Sequence, residues 1–335
     1  AEAVNFDDRS WNVVSTPHTV ELMPAEGSGC RNYQGPAWYR KHFVLPAETK
    51  GQRVVLHFEA AMGKQILYLN GKRIQEHLGG YLPFTLDLTA NGVQAGDSCL
   101  LAVFTDNSDD KSYPPGKRQY TLDFAYHGGI YRDVWMIAKS PVAITDAIDS
   151  QIVGGGGVFV HFDKISEKSA QVYVNTEVQN DDARSESVTV ETTLTDADGK
   201  VIKRSSGKLS LKPGEKKSIR QQMEVKNPTL WSPDTPYLYR VQSRIKKGNK
   251  SIDGGITRVG IRLAEFRGKD GFWLNGKPFG QLVGANRHQD FAYVGNALPN
   301  SQQWRDAKRL RDAGCTIIRV AHYPQDPAFR DACDE

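Results

Sequence analysis

The segment "SQQWRDAKRLRDAGCTIIRVAHYPQDP", residues 301–327, decides how the last part of this chain folds. Trp304, Ala307 and Leu310 recur at the spacing of successive helix turns, which predicts an amphipathic helix. Ser301 stands just before them and is predicted to cap the start of that helix.

Strands are predicted on both sides of this helix. Gly314 stands where a helix commonly ends, and the apolar run "TIIRV" (316–320) follows it as a strand. Another apolar strand precedes the helix in "FWLNGKPFGQLVGANRHQD" (272–290), after a hairpin turn at Asn275 and Gly276. Strand, helix and strand form one β-α-β unit, the parallel motif that closes a barrel when it is repeated.

The residues before this unit are predicted to form two β domains. Many short strands broken by Gly, Pro and Asn, with a hairpin at Asn70-Gly71, predict a β-sandwich or jelly roll over residues 1–140. Strands of period two predict an immunoglobulin-like β-sandwich over residues 141–261, and residues 262–335 then begin a TIM barrel. The predicted fold class is mainly β.

Composition excludes several classes of protein. The 335 residues are 39% hydrophobic and 24% charged, and the net charge of +4 is scattered without a basic stripe, so no nucleic-acid partner is expected. No apolar run approaches the roughly 18 residues that span a bilayer, so no membrane partner is expected. The "AEA" start favours a periplasmic or secreted location over the cytoplasmic alternative.

The four cysteines are too far apart for a zinc site or a disulfide framework, so buried thiols are expected. They are Cys30, Cys99, Cys315 and Cys333.

Polar side chains cluster where the two strands of the β-α-β unit end. Asn286, Arg287, His288 and Asp290 end the first strand, and Arg319 and His322 end the second. Carboxyl-end loops form the active site of β/α barrels, and such side chains can bind hydroxyls and developing negative charge. Two alternatives stay open: a stabilising ion pair of the arginine, and metal binding by the two histidines.

The motifs of the chain resemble those of glycoside hydrolase family 2, which includes β-galactosidases, β-glucuronidases and β-mannosidases. The resemblance covers the whole chain in order: "SWNVVSTPHT" (10–19), "AWYRKHFVLP" (37–46), "HGGIYRDVWM" (127–136), "WSPDTPYLY" (231–239), "TRVGIR" (257–262), "NGKPFGQLVGANRHQDF" (275–291) and "IIRVAHYPQDPAFRDACDE" (317–335). It implies a sugar-binding jelly roll, an immunoglobulin-like domain and the start of a catalytic barrel.

The resemblance also implies roles for individual residues. His288 and His322 match histidines that contact sugar hydroxyls, and Arg319 matches an arginine that orients the nucleophilic carboxylate. Asp123 matches an aspartate with which β-galactosidases grip the substrate, and Asn286 joins these four as a substrate-binding candidate.

Two further features concern the surroundings of the pocket. The loop 23–36 is a candidate to reach it. Gln289 departs from the family, which has glutamate there, and this departure bears on the identity of the substrate rather than on the reaction type.

No catalytic residue is assigned within this chain. Retaining glycosidases need two carboxyl groups about 5–5.5 Å apart. The resemblance places the acid/base in an Asn-Glu pair, and the chain contains no Asn-Glu dipeptide. Both glutamates are expected downstream of Glu335, so the chain is expected to be a truncated and inactive part of a β-galactosidase-like enzyme. The family also implies a divalent cation or sodium near the pocket and a homo-oligomer.

A non-catalytic carbohydrate-binding protein is the alternative function. Such modules bind sugars through exposed aromatic side chains. The candidates here are Trp11, Trp38, Tyr81 and Tyr126, although aromatic side chains are more commonly part of the core.

Overall fold

The computed structural model describes residues 1–25 and 32–335. It divides into two compact units, each of which combines separate stretches of the chain. Unit 1 consists of Ala1–Ala138, Ala285–Ala313 and Ile318–Ala332, and unit 2 consists of Lys139–Gly284, Gly314–Ile317 and Cys333–Glu335.

Two antiparallel sheets begin unit 1. Their strands are β1 (Pro36–Val44), β2 (Arg53–Phe58), β3 (Lys64–Leu69), β4 (Lys72–Leu78), β5 (Phe84–Asp87), β6 (Ser98–Asp106) and β7 (Val134–Lys139). One sheet has the order β1-β6-β3-β4 and the other β5-β2-β7. Leu56, Leu67, Leu86 and Leu101, one from each of four strands, belong to one buried core cluster, as in a β-sandwich. Burial of such apolar side chains is the main contribution to the stability of these two packed sheets.

The hairpin predicted at Asn70-Gly71 is confirmed. Both residues have positive φ, 50° and 82°, and connect β3 to β4. β7 begins only at Val134, and Gly129 and Ile130 precede it. The amide of Met62 and the amide of His18 bond the carbonyls of Gly129 and Ile130, so these residues are held as a loop outside the ladder.

Unit 2 contains a second β-sandwich. Its strands are β8 (Val142–Ile144), β9 (Val158–Asp163), β10 (Ser169–Asn180), β11 (Glu186–Thr195), β12 (Val201–Leu211), β13 (Lys216–Lys226), β14 (Tyr239–Lys247) and β15 (Lys250–Val259), with one short helix, α1 (Ala147–Ser150). One sheet has the order β13-β10-β8 with β9 on β10, and the other has the order β12-β11-β14-β15. The period-two pattern of β10 and β14 buries alternate residues in the space between the sheets, as predicted.

The end of unit 2 is a small sheet of three short strands. They are β16 (Ala264–Phe266), β17 (Phe272–Leu274) and β18 (Lys277–Pro278). Asn275 and Gly276 form the tight turn between the last two, with φ of 53° and 77°, which confirms that hairpin.

The predicted β-α-β unit is confirmed. It consists of β19 (Gly284–Arg287), α2 (Asn300–Asp312) and β20 (Ile317–Val320), followed by α3 (Pro327–Asp334). β19 and β20 are paired neighbours, and the bonds Thr316 N–Val283 O and Ala321 N–Arg287 O advance in the same direction along both strands. The pair is therefore parallel.

The start of α2 differs from its prediction. Asn300 is the first helical residue and Pro299, with φ −68° and ψ 153°, occupies the N-cap position, so Ser301 lies inside the first turn. A proline at a helix start loses no intrahelical bond, which explains why the helix begins before the serine. Gly314, with φ +86°, ends the helix as predicted.

The cysteine prediction holds only in part. Cys99 is buried, but Cys315 is half-buried and Cys333 is exposed. Cys30 lies outside the described residues. None of the helices in the described ranges is long and apolar enough to cross a membrane.

Candidate functional site

Adjacent residues at the end of β19 point in opposite directions. Arg287 is buried, and its guanidinium donates to Gln325 at 2.6 Å, Gln303 at 2.8 Å and Asp306 at 2.6 Å. It also lies 4.0 Å from the ring centre of Phe329. Because side chains alternate along a strand, this buried arginine places His288 on the opposite side. Arg287 therefore holds the β-α-β unit together and is not available to a ligand.

The two predicted histidines meet. The rings of His288 and His322 lie edge to face with centroids 5.3 Å apart. Asp123 comes from the loop before β7, and its Oδ1 is 4.0 Å from His322 Nε2. Its side chain is 82% exposed and that of His322 is 33% exposed, so both can reach a ligand in solvent. The fold thus brings together residues almost 200 positions apart in the sequence.

An aromatic residue that the sequence did not single out positions both histidines. Phe124 is buried and stacks on His288, with ring centroids 5.4 Å apart and planes inclined by 23°. The same ring lies 5.6 Å from His322 and 5.6 Å from Tyr323. Its position next to Asp123 was the one available signal, because a side chain that points out of a loop often has an apolar neighbour that anchors it.

The other two candidates form a second pair. Arg319 Nη1 lies 3.4 Å from Asn286 Oδ1, and both residues are exposed. No carboxylate within the described ranges forms an ion pair with Arg319, so its interpretation as a purely stabilising salt bridge has no support here. Its positive charge is near enough to His288 to lower the pKa of that imidazole.

Burial keeps His288 neutral at physiological pH. Burial is the largest cause of its lowered pKa, and the nearby His322 and Arg319 side chains lower it further. The carboxylates of Asp290 and Asp123 act in the opposite direction without reversing the shift. The site therefore presents a neutral imidazole, a guanidinium, an amide and an exposed carboxylate, a set suited to sugar hydroxyls.

Gln289 lies away from this pocket. It is 1% exposed, and its Oε1 accepts a hydrogen bond of 2.8 Å from Arg132 Nη2. The same nitrogen donates to the carbonyl of Pro324 at 2.7 Å. The side chain of Gln289 therefore contributes to the packing of the loops behind the histidines.

The described residues do not by themselves offer a metal site. Across residues 1–25 and 32–335, no three His, Cys, Asp or Glu side chains are grouped closely enough to hold a metal ion. This observation does not place the family's divalent cation or sodium, and no step of the proposed reaction depends on it.

The aromatic side chains proposed for a sugar platform are not exposed. Tyr81 and Tyr126 are buried, while Trp11 and Trp38 are half-buried. The loop 23–36, which was predicted to be able to reach the pocket, is described only in part, because residues 26–31 lie outside the described residues. None of the four named candidates therefore forms a fully exposed aromatic platform, although other aromatic side chains such as Tyr120 and Trp135 are exposed.

Three family models match successive parts of the chain. The sugar binding domain of glycosyl hydrolases family 2 matches residues 5–141, the family 2 model itself matches residues 156–262, and the family 2 TIM barrel domain matches residues 266–335. Together they agree with the mainly β architecture and with the start of a barrel after residue 265.

Curated relatives and solved structures extend this match over the chain. A β-galactosidase of Thermoanaerobacter pseudethanolicus is 34% identical over 99% of the chain and 42% of its own length. A β-glucuronidase of Formosa agariphila is 32% identical over 100% of the chain and 35% of its own length. The crystal structure of a Bacteroides uniformis β-glucuronidase superposes on this chain with a TM-score of 0.89 at 32% identity. The superposition covers 99% of this chain and 38% of that protein. The chain thus spans about two-fifths of the length of the relatives that it matches.

Proposed function

The chain belongs to glycosyl hydrolase family 2, and we propose that it carries the sugar-recognition side of a glycosidase that removes a terminal β-linked sugar with retention of configuration. The observation that carries the proposal is the cluster of His288, His322 and Asp123, formed jointly by the β-α-β unit and the first β-sandwich. Arg319 and Asn286 extend the cluster along the strand ends.

In this proposal the cluster binds and orients the sugar. The imidazoles and the amide of Asn286 exchange hydrogen bonds with hydroxyls, and the carboxylate of Asp123 accepts from them. Arg319 stabilises negative charge on a carboxylate that attacks the anomeric carbon. Orientation of this kind lowers the barrier because the reacting groups need no further ordering.

The proposal assigns the acid/base and the nucleophile to a segment outside residues 1–335. A double displacement requires two carboxyl groups about 5–5.5 Å apart on the reacting carbon. The cited relatives are more than twice as long as the stretch that matches this chain, which leaves room for both groups there.

We further propose that a β-galactoside is preferred over a β-glucuronide. Asp123 and Asp290 bring two carboxylates to the surroundings of His288, where Arg319 is the permanently charged cation and His322 a second imidazole. Since His288 is neutral, this charge balance disfavours a uronate and favours a sugar that carries only hydroxyls.

Hydrolysis of chromogenic β-galactoside, β-glucuronide and β-mannoside tests both proposals. The 335-residue chain is compared with the longest product of its reading frame. Turnover by the longer product alone is expected, whereas turnover by the 335-residue chain would contradict the assignment of the carboxyl groups. In the active form, His288→Ala should lower kcat/KM at least about tenfold, the effect of about 1.4 kcal/mol for a lost hydrogen bond.

Two variants make this test specific. His42→Gln is the control, because that ring is 63% exposed and contacts Asp8 outside the cluster. Asp123→Asn distinguishes the substrates: it should lower kcat/KM for the galactoside and raise it for the glucuronide, while an unchanged ratio of the two values would contradict the charge-based preference. Binding of galactose without turnover by any form would instead favour a non-catalytic carbohydrate-binding protein.

A further inference from the structure

Tyr323 lies directly behind one of the sugar-facing histidines. It is 6% exposed and stacks on Tyr81, with ring centroids 4.3 Å apart and planes inclined by 5°. Its hydroxyl oxygen lies 3.3 Å from His288 Nδ1 and 3.5 Å from the backbone nitrogen of Gln289. This buried tyrosine therefore occupies the Nδ1 side of the His288 ring.

The hydrogen bonds around this hydroxyl determine to which partner the hydroxyl donates its proton. The backbone N–H of Gln289 can only donate, so the hydroxyl oxygen is an acceptor for it. The hydroxyl has one proton of its own, and the described residues offer it only His288 Nδ1 as an acceptor. If Nδ1 were protonated instead, the hydroxyl proton would be buried without a partner, which costs free energy.

The protonation states of Tyr323 and His288 agree with a hydroxyl that donates its hydrogen bond to Nδ1. Burial raises the pKa of the Tyr323 phenol, although the amide of Gln289 acts against the shift, so the phenol keeps its proton. Burial also lowers the pKa of His288, so the imidazole carries one proton rather than two. A neutral imidazole that accepts at Nδ1 carries its proton at Nε2.

We propose that Tyr323 is a positioning residue that fixes His288 as the Nε2–H tautomer, so that this imidazole offers the ligand a hydrogen-bond donor. Among the described residues no group bonds Nε2, and the side chain is half-buried, so this donor is open to a ligand. On the premise of the proposed function, its partner is an oxygen with a free lone pair on the terminal sugar. An imidazole of the opposite tautomer would offer an acceptor at the same place.

Nitrogen NMR of the free protein tests the tautomer without any substrate. The 335-residue chain, labelled with ¹⁵N in its 8 histidines, gives distinct signals for protonated and unprotonated ring nitrogens. His288→Gln assigns the signals by their loss. At pH 7.5 His288 should show an unprotonated Nδ1 and a protonated Nε2, and Tyr323→Phe should lower the ratio of this tautomer to the other about fivefold, the effect of one net hydrogen bond.

Tyr81→Phe is the matched control. Tyr81 stacks on Tyr323, but its own buried hydroxyl has no hydrogen-bond partner among the described residues. Its removal should leave the tautomer ratio unchanged, so an equal effect of both variants would indicate lost packing and contradict the proposal. Protonated Nδ1 in the parent, or an unchanged ratio in Tyr323→Phe, would also overturn it.

Failure of the proposed glycosidase function can be distinguished from failure of the proposal for Tyr323. A fixed Nε2–H tautomer in a protein that neither binds nor hydrolyses sugars would support the role of Tyr323 and reject the glycosidase. Where activity is present, Tyr323→Phe should lower kcat/KM about fivefold, and Tyr81→Phe should not.

Discussion

Replacing Arg132 with methionine (R132M) should destabilise unit 1 by about 3–5 kcal/mol, the usual cost of removing one partner of a buried charge pair. The side chain is 3% exposed and its Nε lies 3.9 Å from Asp326 Oδ2, which is equally buried. Its Nη2 also donates to Gln289 and to the carbonyl of Pro324. Methionine fills a similar volume but leaves these acceptors without a donor.

The largest part of this cost comes from Asp326. Burial already raises the pKa of its carboxyl, and the charge of Arg132 is one of the influences that lower it. Without the arginine the carboxylate must either stay charged in a buried place or take up a proton. It also accepts from the amide of Ala328 in the first turn of α3, so the loss should extend to that helix.

Hydrogen exchange measured by mass spectrometry resolves the effect, because one global unfolding transition cannot be assumed for two compact units. Amides of β6, of residues 285–313 and of residues 318–332 should lose protection in R132M, while those of β10 should not. The double variant R132M/D326N should recover part of the loss, since the amide keeps the oxygen that bonds Ala328 but carries no charge. A loss below about 1 kcal/mol, or a double variant no more stable than the single one, would refute the assignment of the cost to a buried carboxylate.

Two further predictions concern backbone space and pH. Gly295→Ala should destabilise unit 1 by about 2–3 kcal/mol, because a Cβ there would lie 2.5 Å from His127 Cγ at a φ of +54°. Gly92→Ala, at φ +84° with open space around it, should destabilise it by only about 1 kcal/mol. Equal losses of hydrogen-exchange protection in unit 1 for the two variants would contradict the steric argument. Burial raises the pKa of Asp253 above 3.8, so the folded state binds more protons than the unfolded state and this group lowers stability as pH rises above that value. Asp253→Asn keeps an acceptor for the amide of Ile144, and it should gain stability relative to the parent between pH 4 and pH 7; a difference that does not change with pH would show that the carboxyl is not perturbed.

Much of the fold could be predicted because its signals are local. Alternation of apolar residues predicted β10 and β14, and the Asn-Gly pairs at 70–71 and 275–276 predicted two turns in which both residues have positive φ. The β-α-β unit followed from helical spacing between two apolar runs. Errors occurred where several local signals competed, as at Pro299 and Ser301.

The sequence by itself determined which residues could contact a sugar, since imidazole, guanidinium, amide and carboxylate groups are properties of single side chains. Only the tertiary structure decided which of them meet. Arg287 and His288 are adjacent in the chain, yet one is a buried anchor and the other faces the pocket, because the packing of β19 decides which of its two faces is covered. Asp123 and His322 meet because the buried ring of Phe124 contacts the histidine, and a contact over such a sequence distance depends on packing in three dimensions.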